Sequence, residues 1–188
     1  EEEKQDIDDT LTPEQFTPRA SQRPLSSKDR GTVIHWVLER IQDESEVSEL
    51  LNEAIQSLDN PDIDKALESD KNYRKSLELE ITLVIQSQEW SEYTTGEHYR
   101  ELQFIDLRND PEDRESLWRQ GYFDLYRTGD KEAIIVDYKT HGVKSREEAE
   151  RAIEDDFLHI QSEVYKRAAE IVGPAEVRFY FTHLPGEV

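Results

Sequence analysis

Two stretches, Gly121-Tyr122-Phe123-Asp124 and Val136-Asp137-Tyr138-Lys139-Thr140, decide how this chain folds. Each lies in a run rich in β-branched and aromatic residues, 117–128 and 132–140, and only Gly129-Asp130 and their neighbours part the two. So short a connection predicts a hairpin, with Asp124 and Asp137 on paired antiparallel strands. Side chains alternate along a strand, so Asp137 and Lys139 share a face while Tyr138 points away, and Tyr122, Asp124 and Tyr126 share another. Ile134, Ile135 and Val136 precede Asp137 without alternation, the pattern of a strand buried on both faces. Charges that end such a strand are costly unless they are used or neutralised. Two carboxylates can hold a divalent cation, and an ammonium beside them can meet a phosphate and an attacking water. That is equipment for phosphodiester hydrolysis.

Outward from this pair the pattern is helical on the N-terminal side. Ser26 or Ser27 can cap a helix in which Ile34, Val37, Leu38 and Ile41 make one stripe, with His35 beside it. Further helices are expected over 46–58, after Asn60-Pro61, and over 73–90. The period changes at 98–107, a first strand that Asn109-Asp110-Pro111 separates from the second. A helical segment over 146–172, interrupted near Asp155-Asp156, and a last strand over 176–183 complete the chain. The expected fold class is α/β, with a central mixed sheet flanked by helices and an N-terminal helical layer. Residues 1–25, with their acids and Pro13, Pro18 and Pro24, read as a linker or arm. Residues 26–188 read as one domain, helical over 26–92 with an α/β core over 97–184.

Composition narrows the chemistry. The 188 residues suit one domain with a real core. No apolar run approaches a membrane span and no secretory signal is visible, so a soluble, cytoplasmic protein is expected. Cysteine is absent, which excludes disulfides, thiolate zinc sites and iron–sulfur clusters. Methionine is absent too, even at position 1, which suggests a piece of something longer. The formal charge of −21 opposes nucleic acid if taken alone, because phosphate binding favours basic surfaces. It also fits a halophilic protein, whose carboxylate surface keeps it soluble where salt screens charge within about 3 Å. Only 9 Lys against 14 Arg, with 44 acids, favours the halophilic reading.

An acid-x-Lys triplet is weak on its own, since a shuffled chain of this composition holds roughly two. The two present are Glu2-Glu3-Lys4, in the acidic arm, and Asp137-Tyr138-Lys139. Context separates them. Arg30-Gly31-Thr32-Val33-Ile34-His35 resembles the Gly-x-x-x-His helix of RecB-type nucleases, and Glu101-Leu102-Gln103-Phe104 resembles their Glu-x-x-Phe strand. The opening stretches resemble their Gly-x-x-Asp and Asp-Tyr-Lys-Thr motifs. Gln161-Ser162-Glu163-Val164-Tyr165 is similar to their Gln-x-x-x-Tyr helix, and all five occur in the family's order.

The resemblance implies the restriction-endonuclease-like PD-(D/E)XK core. It is nearest to the nuclease domain that ends RecB- and AddA-type helicase–nucleases. It implies that His35, Asp124, Asp137 and the carbonyl of Tyr138 ligate the metal, with Mg²⁺ or Mn²⁺ suiting such donors better than zinc. Lys139 would position the attacking water, Gln161 and Tyr165 would buttress the site or touch DNA, and Glu101 is a secondary catalytic candidate. Arg119, Arg127, Lys144, Arg146 and Lys166 are candidate DNA contacts from their nearness to the motifs. No Walker motif occurs, so a helicase motor would lie elsewhere in the same chain or on a partner subunit.

The function expected is a Mg²⁺-dependent deoxyribonuclease of exonuclease type, acting in DNA end processing and recombinational repair. The alternative is a catalytically silent nuclease-fold module for DNA threading or subunit docking. An acidic scaffold mimicking DNA would use the charge but leave the five motifs unexplained.

Overall fold

The structure is a computed structural model that describes residues 25–108 and 117–184, the side chains of 107, 108 and 117–119 excepted. The expected arm therefore lies outside the described residues, apart from Leu25, which is buried with the first core cluster.

Five helices come first: α1 (Ser27–Arg40), α2 (Val47–Leu58), α3 (Pro61–Ser69), α4 (Lys71–Gln86) and α5 (Gln88–Thr94). Ser26 caps α1 by accepting the Asp29 N–H through Oγ at 3.1 Å. Where the apolar period suggests one helix over 73–90, the chain makes two. Ser87 takes an extended conformation (φ −69°, ψ 152°), its N–H closes α4 on the Val84 carbonyl, and its Oγ accepts the Trp90 N–H to start α5. One serine ends the first helix and caps the second, and this turn swings Trp90 and Tyr93 into the core.

The sheet follows, in the order β1 (His98–Arg108), β2 (Leu117–Arg127), β3 (Ala133–Lys139) and β4 (Ala175–Phe181). β1, β2 and β3 are antiparallel neighbours and β4 lies parallel to β3, so the sheet is mixed. Between β3 and β4 the chain forms α6 (Arg146–Asp155) and α7 (Leu158–Ala169). They part where Phe157 adopts a left-handed conformation (φ 54°).

Two cores cover the two sheet faces. Leu125, Ile134, Val136, Tyr138 and Tyr180 pack against the helical layer α1–α5, while Phe123, Tyr126, Ile135 and Ala133 pack with Tyr165, Ala168 and Ala169 of α7. The expected α/β class, mixed sheet and N-terminal helical layer are all present.

β2 departs from strict alternation. Phe123 and Tyr126 both join the α7 side, Leu125 joins the α1 side, and Asp124 turns toward α1 as well. The expected common face of Tyr122, Asp124 and Tyr126 is therefore not formed. The cause lies across the ladder. Arg100 pairs with Leu125 and Leu102 with Phe123, which sets Glu101 opposite Asp124, and Glu101 has a left-handed backbone (φ 50°). Both strands change face at this one step.

Candidate active site

The β2–β3 pairing covers only Leu125–Arg127 against Ile134–Val136. Beyond it the strands diverge, and the carboxylate of Asp124 fills the gap: its Oδ2 accepts the backbone N–H of Tyr138 at 2.6 Å. The side chain substitutes for a strand carbonyl, which leaves Oδ1 to face His35 Nδ1 at 3.4 Å. His35 comes from α1, and its Nε2 is 3.0 Å from the Tyr138 carbonyl.

α1 comes this close to β3 because Gly31 has no side chain; a Cβ there would sit 3.1 Å from Thr140 Oγ1. Arg30, one residue earlier, donates to the Thr140 carbonyl at 2.8 Å. It also forms a buried ion pair with Glu80 of α4 and meets His183 Nε2 at 2.9 Å. Thr182 Oγ1 donates to the same Glu80 at 2.6 Å. This network anchors the start of α1, and no local sequence signal marks Glu80 or His183 as its members.

His35, Glu101 and Asp124 bring their ligand atoms within 4.8 Å of one another, a group able to hold a metal ion. Asp137 faces α7 instead. Its Oδ1 accepts from Gln161 Nε2 at 2.7 Å and from the Tyr165 hydroxyl at 2.8 Å. Its buried Oδ2 has no hydrogen bond, only the ion-pair contact with Lys139 Nζ at 2.5 Å. Lys139 Nζ also donates to Gln161 Oε1 at 2.9 Å, so one glutamine amide locks the acid and the base together.

Electrostatics favour a cation here. Burial, and then the charge of Asp124, raise the carboxyl pKa of both Glu101 and Asp137; for Asp137 this outweighs the lowering by Lys139 and Tyr165. Burial would lower the His35 pKa, but Asp124, Asp137 and the Tyr138 carbonyl outweigh it and hold the imidazole above its ordinary value. The carboxylates of Glu101 and Asp124 and the imidazole of His35 form an oxygen-rich donor set, with the Asp137 carboxylate on the next strand. A hard divalent cation fits that set.

A cleft of about 500 Å³ leads to His35 and Glu101 along α1, past Lys28, Thr32, Trp36 and Thr140. The candidate DNA contacts are less convergent. The Arg119 side chain lies outside the described residues. Arg127 is bound to the Thr95 carbonyl, Arg146 to Glu150 and Lys166 to Glu163. Of the four described candidates, only exposed Lys144 has a side chain without such a partner.

The motif spacings acquire a reason in the ladder. Glu101-x-x-Phe104 and Gly121-x-x-Asp124 run antiparallel in one register, so acid faces acid and Gly121 faces Phe104. The Phe104 ring fills the space over Gly121, stacks on Phe123 at 4.6 Å and meets Tyr165 edge-on at 5.5 Å. The equal three-residue spacing of the two motifs is the signal in the sequence for this pairing.

A mixed sheet between helical layers, with an acidic group able to hold a metal ion where two strands diverge, defines a restriction-endonuclease-like protein. Residues 10–184 match the PD-(D/E)XK nuclease superfamily, and the chain belongs to that superfamily. No curated protein matches the chain. Members of the superfamily are typically metal-dependent nucleases. Among the described residues no helix is long and apolar enough to cross a membrane.

Proposed function

We propose that the chain is a Mg²⁺- or Mn²⁺-dependent deoxyribonuclease domain that hydrolyses phosphodiester bonds. The observation that carries this is the adjacency of two assemblies: the cation-binding His35–Glu101–Asp124 group, and the Asp137–Lys139–Gln161 lock on the next strand. Asp137 and the Tyr138 carbonyl would complete the ligand set of a divalent ion held there. A metal held by these residues would supply polarisation of a phosphoryl oxygen and a more acidic water. Lys139 carries three N–H donors. Gln161 engages one of them while the Asp137 carboxylate lies in ion-pair contact, and a remaining donor orients the attacking water. As that water's oxygen bonds to phosphorus, the phosphorus–oxygen bond to the leaving nucleotide breaks. Tyr165 and Gln161 hold Oδ1 of Asp137 and Lys139 contacts Oδ2, which fixes this carboxylate on the strand beside the metal-binding group.

The finer assignment is an exonuclease working in a helicase–nuclease, with a motor in the same longer chain or on a partner subunit, in DNA end processing and recombinational repair. A motor that delivers the strand relieves the opposition of a −21 charge to DNA capture. The same charge supports a halophilic setting, with activity that persists in molar salt.

The test compares wild type with Asp137→Ala on linear DNA, with Mg²⁺ or EDTA, across a salt series. Mg²⁺-dependent loss of DNA with wild type alone is expected. Equal degradation by both proteins, or none by either at any salt with the motor present, refutes the enzymatic assignment.

A further inference from the structure

β1 and β2 continue as a two-stranded ribbon well past the point where β2 leaves β3. One face of the ribbon is covered: Phe104 packs under α7, and buried Asp106 pairs with Arg167 of α7 at 3.1 Å. By alternation Gln103, Ile105, Gln120 and Tyr122 occupy the other face. All four are exposed, Ile105 at 50% and Tyr122 at 51%. Register sets Gln103 beside Tyr122 and Ile105 beside Gln120. Glu101 and Asp124 head the same face, so it runs continuously from the metal-binding group in steps of about 6.8 Å.

None of these four residues carries a charge, although the chain holds 44 acids in 188 residues. A polyanion approaching along this ribbon meets no carboxylate in these two pairs before the metal group. The chemistry offered is that of a nucleobase platform. A phenol ring stacks on a base, two primary amides donate to and accept from base edges, and an aliphatic side chain covers an apolar ring.

We propose, on the assignment of the chain as a deoxyribonuclease, that this face carries the bases of a single-stranded segment of substrate leading to the metal group. It holds the strand by stacking rather than by neutralising phosphate. Each phosphate neutralised on a single strand contributes about −0.7 to the slope of log affinity against log salt. An uncharged platform contributes none, so a chain of net charge −21 keeps its substrate in salt that strips a basic protein from DNA.

The test uses the full chain in EDTA and a fluorescent oligothymidylate, followed by anisotropy. Tyr122→Ala is expected to weaken binding roughly tenfold, the effect of one lost aromatic stack, and Tyr122→Phe to retain it. In Mg²⁺ the same Tyr122→Ala protein raises KM with little change in kcat. Photo-crosslinking of a 5-bromouracil oligonucleotide is expected to map to Tyr122. Unchanged affinity in Tyr122→Ala, or a salt slope steeper than about −2, overturns the platform. If Asp137→Ala abolishes cleavage while Tyr122→Ala binds as wild type, the platform fails and the nuclease assignment stands. If binding depends on Tyr122 but no Mg²⁺-dependent cleavage occurs, the platform stands and the nuclease assignment fails. If Tyr122→Ala instead dissociates a self-associated chain and leaves oligonucleotide binding intact, the face is a protein interface and the proposal is wrong.

Discussion

Substituting Gly121 by alanine tests whether the ladder explains the motif spacing. A Cβ at this position would lie 2.6 Å from Phe104 Cζ and 2.9 Å from Cε1. Carbon atoms in contact prefer about 3.5–4.0 Å, so the ring must retreat by roughly 1 Å. It has little room, being stacked on Phe123 and edge-on to Tyr165. Overpacking of this kind costs about 1–3 kcal/mol. At roughly 2–4 °C per kcal/mol for a domain of this size, Gly121→Ala is expected to melt several degrees lower. Removing the ring removes the clash. In a Phe104→Ala background the same substitution only replaces a flexible strand glycine, which favours the fold by about 0.5–1 kcal/mol. The effect of Gly121→Ala therefore changes sign between the two backgrounds, a coupling of about 1.5–4 kcal/mol. Urea unfolding of the four proteins, with slopes compared as well as midpoints, measures it. Equal destabilisation by Gly121→Ala in both backgrounds refutes the pairing.

Glu101 makes a second test of backbone conformation. At φ 50° an L side chain is disfavoured by about 1–2 kcal/mol, so Glu101→Gly is expected to be more stable than Glu101→Ala by about 1 kcal/mol in chemical denaturation, the reverse of the usual order in strands. Arg30→Ala leaves Glu80 buried without its cation and is expected to lose about 3–5 kcal/mol, whereas Arg30→Met with Glu80→Leu recovers most of that; thermal melts that fail to separate the two contradict the anchoring role. Gln161→Ala removes the amide that bridges Lys139 and Asp137 and is expected to lower kcat about 10- to 100-fold, since it removes a partner that orients site groups, with only a small change in melting temperature.

Metal binding gives the pH-dependent test. The carboxyl pKa values of Glu101 and Asp137 are raised by folding, so the folded chain holds these protons more tightly than the unfolded chain. Their contribution favours the fold at acid pH and is lost as pH rises from about 4 through the raised folded values. A cation replaces the lost protons. The rise in melting temperature caused by Mg²⁺ is expected to be small near pH 4 and to grow toward neutrality, and a pH-independent rise counts against the site.

Much of this was legible in the sequence because the informative residues break a local pattern. Asp137 and Lys139 interrupt an apolar run, His35 lies beside a helix stripe, and Gln161 and Tyr165 repeat at one helix spacing. Each signal is short-range. What the sequence hid depends on register or on distant partners. Nothing near Glu101 announces a left-handed residue, because that conformation answers to Asp124 on the neighbouring strand. Tyr126 is spaced as a neighbour of Asp124 yet is buried with Phe123 on the other face, since the change of face arises from the pairing and not from β2 alone. Ser87 is an ordinary helix-interior residue until the packing of Trp90 requires a corner.

The hydrogen bond from Tyr138 to Asp124 bears on how this site could decay in evolution. Losing Asp124 would strand a buried amide at the mouth of the sheet, at a cost of about 1–3 kcal/mol. A descendant that had abandoned chemistry would still be selected to keep that aspartate for its stability. Lys139 and Glu101 hold no backbone group in place, so relaxed selection would erase them first. On the proposed nuclease assignment, it is the joint presence of Lys139 and Glu101, more than that of Asp124, that catalysis would maintain.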